Sequence, residues 1–261
     1  MEDSEPIIWM RPEVTGRGKA PAYSREQIAK AAVTIADAEG IDAVSMRKVA
    51  SAIGAGTMSL YRYVHNKDEL YALMVDAVSG EDAADAGGDT DWRHGLHDIG
   101  RGTRRAVLRH PWLMTAAAAA PAMGPNTLRG MEQMMSVVDG LGLDIDEMFE
   151  IVTTVMTFAT GFAQNELAQA RAMLRSGMDK QQYQFRGAAY IRSLIGSGDY
   201  PYLRQIVVDA AIPHLDDDAV FERALGRIIT GIAAGIDPTD LSSANAGTKC
   251  DRSETERAQP A

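Results

Sequence analysis

Two short segments of helical period, separated by a glycine-containing turn, most limit what this chain can fold into: SMRKVASAIGAGTMSLYRYVHNKDEL, from Ser45 to Leu70. Val49 and Ile53 lie four apart on the first segment, and Leu60 and Val64 lie four apart on the second. Each spacing predicts a helix with one narrow apolar face to bury. Ser45 is a suitable N-cap, Gly54 can take the left-handed backbone that ends the first helix, and Gly56 lets the chain reverse before Thr57 opens the second. The pattern is a helix-turn-helix, a shape that fits a DNA major groove.

The residues left outside suit that groove. Thr57, Met58 and Ser59 fall in the first turn of the second helix, where hydroxyls and backbone N–H groups meet phosphate and an apolar side chain can touch a thymine methyl. Tyr61, Arg62 and Tyr63 follow. A tyrosine hydroxyl can bond a phosphate oxygen, whereas the forked guanidinium of Arg62 can take guanine O6 and N7 together, worth about 1–3 kcal/mol of discrimination. Arg47, two residues past the preceding cap, is close enough to the groove edge for a base or phosphate contact.

Upstream, Ser24-x-x-Gln27 predicts a capping box for a first helix with the stripe Ile28, Ala31, Ala32 and Ile35, ending near Gly40. Downstream, Asn66 and Glu69 predict a second capping box. The whole order resembles the DNA-binding half of TetR-type repressors, including the signature L-Y-x-x-V-x-N-K-x-x-L written here by Leu60, Tyr61, Val64, Asn66, Lys67 and Leu70. The resemblance implies that Lys67 contacts phosphate and that the helix it opens links the DNA head to a body.

The formal charge of −10 looks wrong for a DNA binder until it is divided along the chain. Residues 17–67 hold eight basic and four acidic side chains, while the excess negative charge lies in residues 1–16 and 68–261. A modestly basic head can therefore face phosphate while an acidic body is repelled from it, so affinity should depend strongly on salt. Residues 1–22 read as a flexible arm; Arg17 and Lys19 within it either reach a minor groove or belong to a solvated tail, and Trp9 has no assigned partner. Cys250 is the only cysteine and lies in a polar stretch, residues 237–261, that reads as disordered. No apolar run approaches membrane-spanning length, so a cytoplasmic protein without membrane contact is expected.

With residues 23–78 as the head, a Gly/Asp/Ala-rich break at residues 79–90 introduces a second helical domain, residues 91–236. Predicted helices run from Asp91 to the stop at Pro111, from Pro125 to Gly140, from about Asp146 to Arg175, around Tyr183–Ile195 and Pro201–Ala211, and behind Asp216–Asp218, which read as capping. No strand is predicted, so the fold class is all-α: an N-terminal three-helix helix-turn-helix domain plus a larger C-terminal ligand-binding and dimerisation domain. The patterns from Trp92 to Leu108 and from Phe221 resemble the ligand-binding domain of tetracycline-repressor-like proteins.

That resemblance implies a homodimer through the long helix and the last helix, with Phe149, Val152, Met156, Phe221, Leu225, Ile228, Ile229 and Ile232 at the interface. An intramolecular core would give the same apolar pattern. Dimerisation also has a physical motive: one reading helix samples few base pairs, whereas a two-fold dimer reads a palindrome with half-sites about 34–36 Å apart. An effector pocket is expected from Trp112, Met114, Met131, Met134, Met135, Phe158, Phe162 and Tyr190, with Asn165 or Glu166 as polar anchors, although each taken singly reads more readily as ordinary core. The family's magnesium-tetracycline ligands do not carry over, because the segment that supplies them is here the run Ala116–Ala120 with Pro121. A different, hydrophobic effector is expected, and no cofactor.

No enzyme signature is present. His94 and His97 share a helix face without the cysteines or carboxylates of a zinc set, and Gly54-Ala55-Gly56 follows a helix rather than a strand, so it is not a dinucleotide fingerprint. The expected function is a ligand-responsive repressor that binds a palindromic operator in double-stranded DNA as a homodimer. An effector-independent DNA-binding regulator is the alternative, and a helical enzyme or ligand carrier a more distant one.

Overall fold

Ser24 opens the first helix with the expected reciprocal cap: its Oγ accepts from the Gln27 backbone N–H, and the Gln27 side chain accepts from that of Ser24. The structure is a computed structural model that describes residues 6–12, 23–81, 91–120, 123–178, 182, 187–209 and 216–236, and among these every regular element is helical. Helix α1 (Arg25–Glu39) buries Ile28, Ala32 and Ile35, and Gly40, at φ 86°, ends it. Ala31 of the predicted stripe is only partly buried.

Ser45 caps α2 (Met46–Ala52) by accepting from Lys48 N–H. The turn that follows is a Schellman motif: Gly54 takes φ +70°, its N–H donates to Ser51 O, and Ala55 N–H donates to Ala50 O at 2.8 Å. Helix α3 (Thr57–Leu60) is shorter than its apolar period predicts. After Leu60 the chain tightens through Arg62 N–H to Ser59 O and Tyr63 N–H to Leu60 O, so the reading segment finishes as a narrow turn. Helix α4 (Lys67–Ser79) begins at Asn66, which accepts from Glu69 N–H. The second half of that predicted capping box does not form, because the Glu69 carboxylate accepts instead from His65 N–H and from Arg11.

Arg11 also revises the N-terminal arm. The described part of it is not a flexible tail: Ile8–Met10 form a 3-10 turn, Ile8 is buried in the head core, Trp9 packs beside it, and Arg11 reaches His65 as well as Glu69. Arg17 and Lys19 lie outside the described residues, as do residues 82–90, Pro121 and residues 237–261 with Cys250.

The body comprises α5 (Trp92–Arg109), α6 (Leu113–Ala119), α7 (Pro125–Ser136), α8 (Ile145–Ser176), α9 (Ala188–Ser197), α10 (Pro201–Val208) and α11 (Asp217–Gly235). Helix α8 carries a full capping box between Asp144 and Glu147, and Asp216 caps α11 through Ala219 N–H, as expected of that acidic run. The core of the body lies where α5, α8 and α11 meet, around Leu96, Val152, Val155, Phe221 and Leu225. Gly100 permits this approach, since a Cβ there would lie 2.8 Å from Leu225 Cδ2. The alanine-rich run does not join that core: as α6 it sets Ala116 and Ala120, with Trp112, against the head. The head therefore rests on α6 as well as on its own four helices.

Candidate nucleic-acid interface

The helix-turn-helix is held from behind and open in front. Val49, Ala50, Leu60 and Val64 are buried with Ile28 and Leu70, which at roughly 1.5–3 kcal/mol per large side chain fixes the angle between α2 and α3. In front, Met58 is 80% exposed, and Ser59, Tyr61, Arg62 and Arg47 are exposed beside it, with Thr57 half-buried at the start of the turn. Lys67 is exposed at the first position of α4, its ammonium 5.2 Å from the Tyr71 ring centroid. One forecast of an outward side chain fails. Tyr63 is 8% exposed and turns inward, edge-on to Tyr23 at 6.4 Å, while Tyr23 donates to the Gly54 carbonyl at 3.0 Å. Tyr63 stands next to Val64 on the face that Leu60 also buries, and that face points into the head.

The expected effector set is not gathered into one cavity. Trp112 is buried in the head core and donates its indole N–H to Asp37 Oδ1 at 2.7 Å, so it braces the junction of head and body, where it also borders a cleft. Met114 lies near it in an open cleft of about 880 Å³ that also touches Asp37, Asp42 and Arg171. Met134, Met135, Phe158 and Phe162 pack on the body core, and Phe158 stacks on Phe221 at 5.7 Å. Met131 is half-buried on α7, whereas Asn165 and Tyr190 are exposed. Glu166 is no vacant anchor, since Arg104 clasps both its oxygens at 2.7 and 2.8 Å.

Arg104 also bonds Asp218 and sits 4.8 Å over the Phe221 ring; the Glu166 bonds foremost, against the opposing cost of burial and with the help of Asp218, hold its guanidinium above the ordinary value. Beside it, Arg101 grips Glu222 at 2.7 and 2.9 Å, and that bond pulls the Glu222 carboxyl below its usual range. His94 and His97 face different partners, Asp91 at 3.8 Å and Glu222 at 3.7 Å.

Half of the expected subunit contacts are internal. Val152, Phe221, Leu225 and Ile229 are buried within the protomer, because α11 needs that side of its stripe to close against α5 and α8. Phe149 remains exposed, and Met156, Ile228 and Ile232 are partly covered.

One buried carboxylate that joins head to body escaped sequence reasoning. Asp76 on α4 is 5% exposed and accepts from the backbone N–H groups of Asn126 and Thr127, both at 2.9 Å, at the start of α7. A Cβ on Gly124 would fall 2.1 Å from its Oδ1. The signal was present, a lone carboxylate inside the apolar run Leu73-Met74-Val75-Asp76-Ala77-Val78, and an acid there needs a donor such as a helix N-terminus.

Residues 28–74 match the bacterial regulatory proteins of the tetR family, and residues 85–236 match the tetracyclin repressor-like C-terminal domain. The HTH-type transcriptional repressor DrrR1 of Streptomyces coeruleorubidus is 34% identical over 228 residues, which is 87% of this chain and 83% of that protein. An HTH-type transcriptional regulator of Saccharopolyspora erythraea is 29% identical over 237 residues, 89% and 94% of the two chains. Among solved structures, apo ActR from Streptomyces coelicolor superposes with a TM-score of 0.67 at 29% identity, covering 87% of this chain and 98% of its own. The complex of ActR with actinorhodin gives 0.66 at 30% identity, covering 82% and 98%.

Proposed function

Since the chain belongs to the TetR family of bacterial transcriptional regulators, and not to an enzyme family, we propose that it is a homodimeric repressor that binds a palindromic operator and is released by a small, largely apolar effector. The observation that carries the DNA half of this reading is the ridge of Met58, Ser59, Tyr61 and Arg62, exposed on a helix pair whose opposite faces are fully buried. Arg62 is the base reader, Thr57, Ser59 and Tyr61 with Lys67 are phosphate contacts, and Arg47 lies at the groove edge. Two such ridges related by a two-fold axis fit successive major grooves of one duplex face.

The effector half rests on a different kind of support. ActR has been crystallised with (S)-DNPA and with actinorhodin, so a relative of this fold admits small organic molecules. In this chain α7 reaches the head-linking helix α4 through Asp76, which gives a ligand in the body a route to the head. A coupling of about 1–3 kcal/mol would lower operator affinity roughly 5–150-fold. The subunit contact is assigned to the outer sides of α8 and α11, around Phe149, Met156, Ile228 and Ile232. No described helix is long and apolar enough to cross a membrane.

The test is selection of bound duplexes from random fragments, followed by binding of the Tyr61→Ala/Arg62→Ala variant to the selected sequence and to its scrambled form. The variant should bind both alike, with stability unchanged. Equal affinity of the unaltered protein for both sequences would end the proposal.

A further inference from the structure

A buried histidine joins the head to the body. His110, the residue that ends α5, is 2% exposed, and its ring lies between two carboxylates. Nδ1 is 2.8 Å from Asp37 Oδ1 on α1, and Nε2 is 3.2 Å from Glu81 Oε2, just beyond α4. Trp112, at the start of α6, donates to the same Asp37 oxygen and sets its ring edge-on to the imidazole at 5.6 Å. Arg109 lies 3.2 Å from the same Glu81 oxygen, and Arg171 of α8 reaches the Pro111 carbonyl next door. The groups facing this ring are thus Asp37 from α1, Glu81 after α4, Arg109 by way of Glu81, and the uncharged Trp112.

A carboxylate only accepts, so both imidazole contacts are hydrogen bonds only when the ring carries two protons. Removing one proton leaves a lone pair of a ring that is itself almost unexposed facing a carboxylate, and that unmatched polar contact is costly. The consequence falls on the head. Asp37 sits on the helix that packs against both α2 and α4, and through α2 it sets the direction of the reading turn.

We propose that His110 is a positioning residue for DNA reading: its doubly protonated ring ties α1 and the end of α4 to the body, fixes the angle at which the head meets the duplex, and makes operator affinity fall as that proton is lost. This rests on the operator-binding reading above and adds a proton as a second input beside any organic effector. Only the head, and not the body core, is asked to move, because Asp37 and Glu81 are the partners that change.

The experiment uses the full chain and one selected duplex, at fixed salt, from about pH 5 to about pH 8, the span over which histidine charge ordinarily changes. The unaltered protein should weaken by about 5-fold or more across that span, the low end of ordinary allosteric coupling. His110→Gln, which carries no titrating proton, should bind at every pH as the unaltered protein does at the alkaline end. It should keep only the residual slope of the groups that the substitution leaves in place. Should His110→Gln fail to fold, Asp37→Asn removes the partner charge from the half-exposed head side and should flatten the same profile. Amide exchange along α1, read without DNA at one pH, should quicken in either variant. Wild-type affinity and an unchanged pH profile in both variants would overturn the proposal; quicker exchange with an unchanged profile would do so too, marking His110 as a structural plug. A protein that selects no duplex at any pH would instead defeat the operator-binding reading, while the exchange data still report whether the tie exists.

Discussion

The head and the body of this protein use their polar residues in opposite ways. On the open side of the helix-turn-helix, Met58, Tyr61 and Arg62 stand in solvent, and the structure behind them is apolar and tightly closed. In the body and at the junction, the polar side chains are spent on one another: Arg104 on Glu166 and Asp218, Arg101 on Glu222, Asp76 on the start of α7. A surface poised for an outside partner keeps its donors uncommitted, whereas a device that passes displacement between helices commits them internally. Under the proposed function, the contrast separates reading from transmission.

The sharpest way to break that contrast is to collapse the support behind the ridge. Leu60→Ala should cost about 2–5 kcal/mol and abolish DNA binding, with circular dichroism and amide exchange showing the head melting before the body. If head and body melted together, they would be one cooperative unit and the division would fail. Next in size, Gly124→Ala forces a Cβ into the Asp76 carboxylate and should cost about 1–3 kcal/mol in thermal unfolding. Asp76→Ala should cost a similar amount, by stripping two α7 amides of their acceptor.

Smaller effects sharpen the picture. Lys67→Ala should weaken specific and non-specific DNA alike and lower the slope of log affinity against log salt by about one, measured by titration at several ionic strengths. The smallest expected effect lies in the body. The Arg101 bond depresses the Glu222 carboxyl, so its contribution to stability is complete at neutral pH and disappears as pH falls through the depressed value. Because the Glu222 side chain is 40% exposed and so screened by water, that contribution is under about 1 kcal/mol, and Arg101→Ala should erase it from the acid limb of a stability profile.

The same division explains what the sequence revealed. Caps and turns are local, and Ser24, Ser45, Gly54, Asp91, Asp144 and Asp216 all act within a few residues of themselves, so spacing alone finds most of them. The reading ridge is local in the same sense, being one turn of chain seen from outside. Tyr63 misled because a residue beside a buried Val64 can rotate either way, and the distant Tyr23 decided it. The cap at Asn66 lost its reciprocal half to Arg11, 58 residues from Glu69. Burial of Val152, Phe221, Leu225 and Ile229 inside the protomer follows from how α5 lies on α8 and α11, which no helical period encodes. His110, Asp37 and Glu81 meet only after folding, so their partnership left no mark on the chain beyond a histidine next to Pro111.

The central claim is that two exposed ridges read one duplex together. It is tested most directly by titrating the full chain against its selected palindrome and against the same duplex with one half-site scrambled, following both mass and affinity. The account predicts two chains per intact duplex and a loss of about 10³-fold or more when one half is scrambled, within the usual gap between specific and non-specific binding. One chain per duplex, or an affinity indifferent to the scrambled half, would contradict it.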